Sequence, residues 1–178
     1  MSLAPPTTYL DRYDLSWTAA QLRALARTAA AAHGIPPGGF VALLQAESGF
    51  DPNAQSPAGA QGIAQFMPPT SAEWGVDPWD PPDAIRGAAR YLAWIRARVV
   101  DWPAALAAYN WGIGNVTRAT HDGVFDLAAA PQETRIYVQL LAPLFPAGPG
   151  APAPSAPGAG TGAGALLLAI GVAWVLFS

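Results

Sequence analysis

No charged residue follows Arg135 in this chain of 178 residues. From Pro146 to Gly164 the sequence reads PAGPGAPAPSAPGAGTGAG, without an aromatic or long aliphatic side chain. Such a stretch cannot bury enough apolar area to offset the entropy of ordering it. It reads as a linker, semi-stiff where proline is dense. The expected globular domain is therefore residues 1–145. Beyond the linker comes ALLLAIGVAWVLFS, residues 165–178, apolar on every helical face. From Thr161 to the end a helix would be about 27 Å long, close to the ~30 Å of a hydrocarbon core. The expectation is a C-terminal transmembrane helix with membrane lipid as its partner; the plainer alternative is a helix packed into a core. Gly160 and Gly164 form a GxxxG pair, a weak pairing signal in so glycine-rich a stretch.

Within residues 1–145 the apolar spacing is helical and the punctuation is Pro and Gly. A first helix is predicted from about Trp17 to His33, with Ser16 as cap, Gly34 as stop, and Leu22, Leu25, Ala26 and Ala29 on one face. A second runs from about Pro37 to Ser48. Thr70 and Glu73 make a capping-box pattern for a short helix ending at Gly75. Asp80 before Pro81 starts a helix to about Val100, with Ile85, Ala88, Ala89, Leu92 and Ile95 inward. Pro103 opens another through AALAAYN, which Gly112 and Gly114 break. A further helix starts near Gly114 or Asn115, and the last starts near Pro131. At most a small hairpin fits between Asp51 and Gly62. The fold class is mainly α.

Composition excludes several functions. The net charge is −3, with nine arginines and no lysine, so no basic patch for nucleic acid is expected. Without cysteine there is neither a disulfide framework nor a thiolate metal site. His33 and His121 lack HExxH-type spacing, so no metal and no cofactor is expected. At the N-terminus, Asp11, Arg12 and Asp14 interrupt any apolar run that a signal peptide would need.

The chain has three glutamates, and one of them raises a question. Phe40, Leu43, Leu44 and Glu47 stand at i, i+3, i+4 and i+7, so Glu47 shares the core-facing stripe of the second helix. Burial and the negative end of the helix dipole both disfavour its anion and raise its pKa. A carboxyl kept protonated near neutral pH is what a general acid requires. A structural carboxyl bonded to the following loop is the competing reading. That loop supplies neutral polar groups, Ser56, Gln61 and Gln65, and glycines that allow close backbone approach. Neutral amides with aromatic faces suit an uncharged carbohydrate.

The segment ESGFDPNAQSPAGAQGIAQFMPPT, from Glu47, resembles the signature of the soluble lytic transglycosylases, the SLT domain of the lysozyme-like superfamily. AAYNWGIGNV (Ala107 to Val116) and ETRIYV (Glu133 to Val138) are similar to the family's later motifs, in the same order. The resemblance spans about Ile35 to Leu141. The family's usual Gly-Leu-Met-Gln reads Gly62-Ile63-Ala64-Gln65, and its Tyr-Asn-Ala-Gly reads Tyr109-Asn110-Trp111-Gly112. The resemblance implies a lysozyme-like fold with Glu47 as the catalytic acid/base. Ser56 falls near that carboxyl, Gln65 and Met67 line the glycan groove, and Tyr109 lies close to the acid with Asn110 beside it. Glu133 contacts peptidoglycan, and Tyr137, one turn on, shares its face.

The implied reaction cleaves the bond between N-acetylmuramic acid and N-acetylglucosamine in peptidoglycan glycan strands and leaves 1,6-anhydro-muramoyl ends. A goose-type lysozyme, which uses water, is the alternative. Its second carboxylate would come from Asp51, Glu73, Asp77 or Asp80. A membrane-anchored binding or structural module without turnover is a third reading. An anchored wall enzyme without a leader suggests the membrane of a phage virion as its location, or otherwise the bacterial envelope.

Overall fold

The computed structural model describes residues 17–146. The linker beyond Pro146 and the apolar segment 165–178 lie outside the described residues, as does Ser16. Among the described residues, no helix is long and apolar enough to cross a membrane.

Seven α-helices follow one another: α1 (Ala19–Ala32), α2 (Pro37–Ser48), α3 (Pro68–Trp74), α4 (Pro81–Arg96), α5 (Trp102–Trp111), α6 (Ile113–Arg118) and α7 (Gln132–Leu141). A two-stranded hairpin, β1 (Thr120–His121) and β2 (Val124–Phe125), separates α6 from α7. The mainly α expectation therefore holds for the described residues.

Local chemistry sets the boundaries. The N-cap of α1 is Thr18: its Oγ1 accepts from Gln21 N and the Gln21 side chain accepts from Thr18 N, a reciprocal capping box. That displaces the expected Ser16. Helix α3 begins at Pro68, so Thr70 falls inside its first turn and the expected Thr70–Glu73 box does not form. Proline pre-sets that first turn and needs no donor there. Asp101 caps α5 by accepting from Ala104 N at 2.8 Å. Helix α4 stops at Arg96, short of Val100, and Arg96 donates to Val99 O at 3.1 Å beyond the end. The hairpin lies at residues 120–125 rather than between Asp51 and Gly62. There, isolated bridges join Gln55 to Gln61 and Gln61 to Phe66. The hairpin's turn is Asp122-Gly123, both at positive φ, the pair that suits a two-residue connection.

Helix α5 is the axis of the domain. Ala104, Ala105, Leu106, Ala107 and Ala108 are all fully buried, so no face of this stretch meets solvent. Small side chains allow α4, α6 and α7 to pack closely around it. Helix α1 lies against α2 and α4, and the face formed by Leu22, Ala26 and Ala30 completes the core with Phe40, Leu43 and Leu44 of α2. The inward set expected for α4 (Ile85, Ala88, Ala89, Leu92 and Ile95) is fully buried. The polar end of α2 is thereby held between α5, α7 and the loop of residues 51–66.

Candidate active site

Glu47 is the penultimate residue of α2 and only 4% exposed. Immediately after the helix, Gly49 and Phe50 both have φ 67° and reverse the chain. A non-glycine residue tolerates that conformation only when its surroundings fix it. Phe50 is buried, with the Arg23 guanidinium 4.5 Å over its ring, and Arg23 also donates to Gln45 Oε1 at 2.9 Å. The loop is then tied back twice. Ser48 Oγ donates to Ile63 O at 2.7 Å, and Tyr109 Oη donates to Ala64 O at 3.0 Å. Residues 63 and 64 are thus pinned between the end of α2 and α5.

Inside the loop, Ser56 organises a turn. Its Oγ accepts from Ala60 N at 3.0 Å, and its own N–H donates to Ala60 O at 3.0 Å. Gln65 has φ 50° and is buried; its Nε2 donates to Gly62 O at 2.9 Å and to Ala54 O at 3.2 Å. The donors of that amide are committed to the loop itself. Gly62 is obligatory: a Cβ there would meet Pro78 O at 1.7 Å, and φ is +70°. Met67, half-buried, precedes α3 at the end of the loop.

Helix α7 closes the site from the other side. Tyr137 is 2% exposed, and its hydroxyl donates to Glu47 Oε1 at 2.7 Å, across 90 residues of sequence. This bond occupies Oε1 and leaves Oε2 to carry the proton. One turn earlier, Thr134 Oγ1 donates to Asn110 Oδ1 at 2.7 Å. Asn110 Nδ2 is buried with no hydrogen-bond partner among the described residues. Glu133 is half-buried in the first turn of α7, where the helix dipole favours a carboxylate.

Burial drives the Glu47 carboxyl up from its ordinary 4.5 to about 7, against the bond from Tyr137, which pulls the other way. The phenols of Tyr109 and Tyr137 are held well above their ordinary value, by burial first and by the Glu47 charge second. Both remain protonated donors while Glu47 titrates. None of Asp51, Glu73, Asp77 and Asp80 figures among the influences on Glu47. Asp51 instead accepts from Asn53 N, Asp77 from Trp79 N, and Asp83 from Asp77 N, so these acids shape turns. Burial, then Asp83 and Asp77, raise the Asp80 carboxyl.

The structure therefore brings Glu47, Tyr109 and Tyr137 together, with Asn110 joined to the same helix as Tyr137. The sequence sets Tyr137 one turn after Glu133 on a shared face; in the structure its ring is buried and its hydroxyl bonds Glu47. Sequence reasoning does not single out Ser48, Thr134 or Tyr91. Tyr91 packs against Tyr109 at 5.6 Å and Phe66 at 6.1 Å. The i, i+3 spacing of Thr134 and Tyr137 within ETRIYV was the available signal.

The helical domain has solved counterparts. The lytic transglycosylase Slt of Pseudomonas aeruginosa, solved as an inactive mutant, superposes over 68% of this chain and 23% of its own. The TM-score is 0.56 and the identity 29%. The 70 kDa soluble lytic transglycosylase of Escherichia coli gives a TM-score of 0.57 at 25% identity, over 76% of this chain and 24% of its own. The architecture is thus that of a lytic transglycosylase SLT-like domain. Residues 24–123 match the Transglycosylase SLT domain, and the chain belongs to that family. A membrane-bound lytic murein transglycosylase F of Shewanella loihica is 40% identical over 89 residues, covering 45% of this chain and 18% of that protein. The protein of the same name from Shewanella pealeana is 33% identical over 128 residues, 62% of this chain and 26% of that one. The chain spans about a quarter or less of the length of these relatives.

Proposed function

We propose that this protein is a peptidoglycan lytic transglycosylase with Glu47 as its single acid/base. One observation carries the reading: a buried carboxyl poised at about 7 and bonded through one oxygen to Tyr137. Such a group donates its proton to the glycosidic oxygen as the bond to muramic acid breaks, through an oxocarbenium-like transition state. The sugar's own N-acetyl group assists in place of a second carboxylate. The resulting carboxylate then takes the proton of the C6 hydroxyl, whose oxygen closes on C1 to give the 1,6-anhydro end. The proton returns to Glu47 and no water is consumed. Around it, Ser56, Gln65, Met67, Tyr109, Asn110 and Glu133 form or support the glycan groove.

Two measurements test this. Glu47→Gln lowers lysis of purified cell walls by about 10²-fold or more while the fold persists; lysis within a few-fold of wild type excludes Glu47 as the acid. Mass spectrometry of released muropeptides gives anhydro ends; a majority of reducing ends makes the protein a lysozyme, and no release at all makes it a binding module.

We also propose that residues 146–164 are a linker and that residues 165–178 anchor the domain, residues 1–145, in a membrane. The uniform apolarity of that segment supports it, as does the span of about 27 Å reached when a helix continues back to Thr161. An anchored wall-cleaving domain works from a membrane that meets the wall, and a virion membrane is the placement proposed. Fractionation of purified virions and of host envelopes decides it: the protein extracts with detergent from the membrane it occupies.

A further inference from the structure

A cavity of about 270 Å³ opens between α1 and α4. Its floor is apolar: Leu25, Ala29 and Ala32 lie at i, i+4 and i+7 along α1. Two alanines in that row leave a hollow where longer side chains would have filled the groove. Arg86 and Arg90, one turn apart on α4, and His33, the C-cap of α1, supply the polar wall. Among the described residues, neither guanidinium makes a hydrogen bond or a close ion pair. Arg86 acts only at longer range on Asp80. Arg90 faces His33, and burial together with that positive charge holds the imidazole below its ordinary 6.5. His33 is therefore mostly uncharged at neutral pH, and among the described residues no acid pairs with Arg90 beside it.

We propose that this cavity binds a carboxylate carried on a short aliphatic body, such as the C-terminal carboxylate of an alanyl peptide. Paired guanidiniums offer planar, bidentate recognition of a carboxylate. The floor accepts methyl-sized groups, and the His33 ring adds one further hydrogen-bonding position. A phosphate dianion fits less well, because an apolar floor cannot replace its hydration. None of these residues belongs to the Glu47 site, so the proposal does not depend on the reaction assigned there.

The chain has only two histidines, which makes the test direct. The imidazole of His33 is titrated by NMR in the full-length protein, with exposed His121 as the internal reference. The probes are acetyl-alanyl-alanine, its C-terminal amide and inorganic phosphate. Saturating acid peptide should raise the His33 pKa by about half a unit or more, because a bound anion favours the charged ring. The His121 signal should not respond to the peptide. Arg90→Gln should by itself bring His33 towards 6.5 and weaken peptide binding at least about fivefold; Arg86→Gln should weaken binding similarly. An unchanged His121 signal and far-UV spectrum verify that each variant is folded. Equal binding of the amide, equal or tighter binding of phosphate, or an undiminished response in the folded Arg90→Gln protein each overturns the assignment.

Discussion

Replacing Glu47 by Gln should change the stability of this protein in a pH-dependent way that separates a buried acid from an ordinary surface glutamate. In the unfolded chain the carboxyl titrates near 4.5; in the fold it titrates at about 7. Below about pH 4.5 the group is protonated in both states and contributes no penalty. Between about 4.5 and 7 the unfolded chain loses the proton while the fold retains it, so stability falls as pH rises. Above about 7 the penalty is constant. A shift of roughly 2.5 units corresponds to about 3 kcal/mol at ~1.4 kcal/mol per unit. Glutamine does not titrate. Its amide oxygen still accepts from Tyr137, but its buried NH₂ needs a partner and costs about 1 kcal/mol. The variant should therefore be about 1 kcal/mol less stable than wild type at pH 4 and about 2 kcal/mol more stable at pH 8. At roughly 3 °C per kcal/mol for a domain of this size, the melting temperatures should cross, with a total swing of about 10 °C. Thermal unfolding of both proteins by circular dichroism, from pH 4 to 8.5, measures it. A difference in melting temperature that stays constant across that range, or moves in the opposite direction, refutes the buried-acid account.

Further expectations follow from the same geometry. Tyr137→Phe removes the bond that pulls the Glu47 carboxyl down, so the alkaline limb of wall lysis should move above pH 7; an unmoved limb argues that Tyr137 does not touch the reacting carboxyl. Gly62→Ala drives a Cβ into Pro78 O at 1.7 Å and should cost more than about 3 kcal/mol, whereas Gly59→Ala meets no atom within 4 Å and should cost only about 1–2 kcal/mol of backbone strain; denaturant melts rank the two. Thr134→Val leaves Asn110 Oδ1 buried and unpaired, at a cost of about 1–3 kcal/mol by the same measurement. Removing residues 146–178 should leave a soluble, active domain, and an insoluble product would place the tail in the core.

Periodicity made the helices legible wherever an apolar stripe met a glycine or proline stop. Helix α2 falls at the expected Pro37 and Ser48 because Pro36-Pro37 opens it and Gly49 closes it. The stripe that buries Phe40, Leu43 and Leu44 also sets the inward aim of Glu47, so the burial of that carboxyl is legible from spacing alone. Its partner is not. That Tyr137 meets Glu47 depends on how α7 crosses α2, and no local rule specifies a crossing. Caps are less legible: Ser16, Thr18 and Thr70 are all good cap residues, and packing of the following turn chooses among them, whereas Asp80 is the N-cap of α4 as expected. The Asp122-Gly123 pair is a turn signal in the chain, but strands of two residues carry no alternation that would mark a hairpin around it.

Helices α2 and α5 are both fastened by α7, through Tyr137 to Glu47 and through Thr134 to Asn110. A ribosome working from the N-terminus produces Glu47 90 residues before the hydroxyl that holds it. Until α7 has emerged, the carboxyl lacks its partner and one side of the alanine-rich α5 is bare. A message cut short before codon 137 thus encodes a chain with every residue of the first two motifs and no assembled acid. The order of synthesis leaves the Glu47–Tyr137 pair to be made only once the last of the seven α-helices is in place.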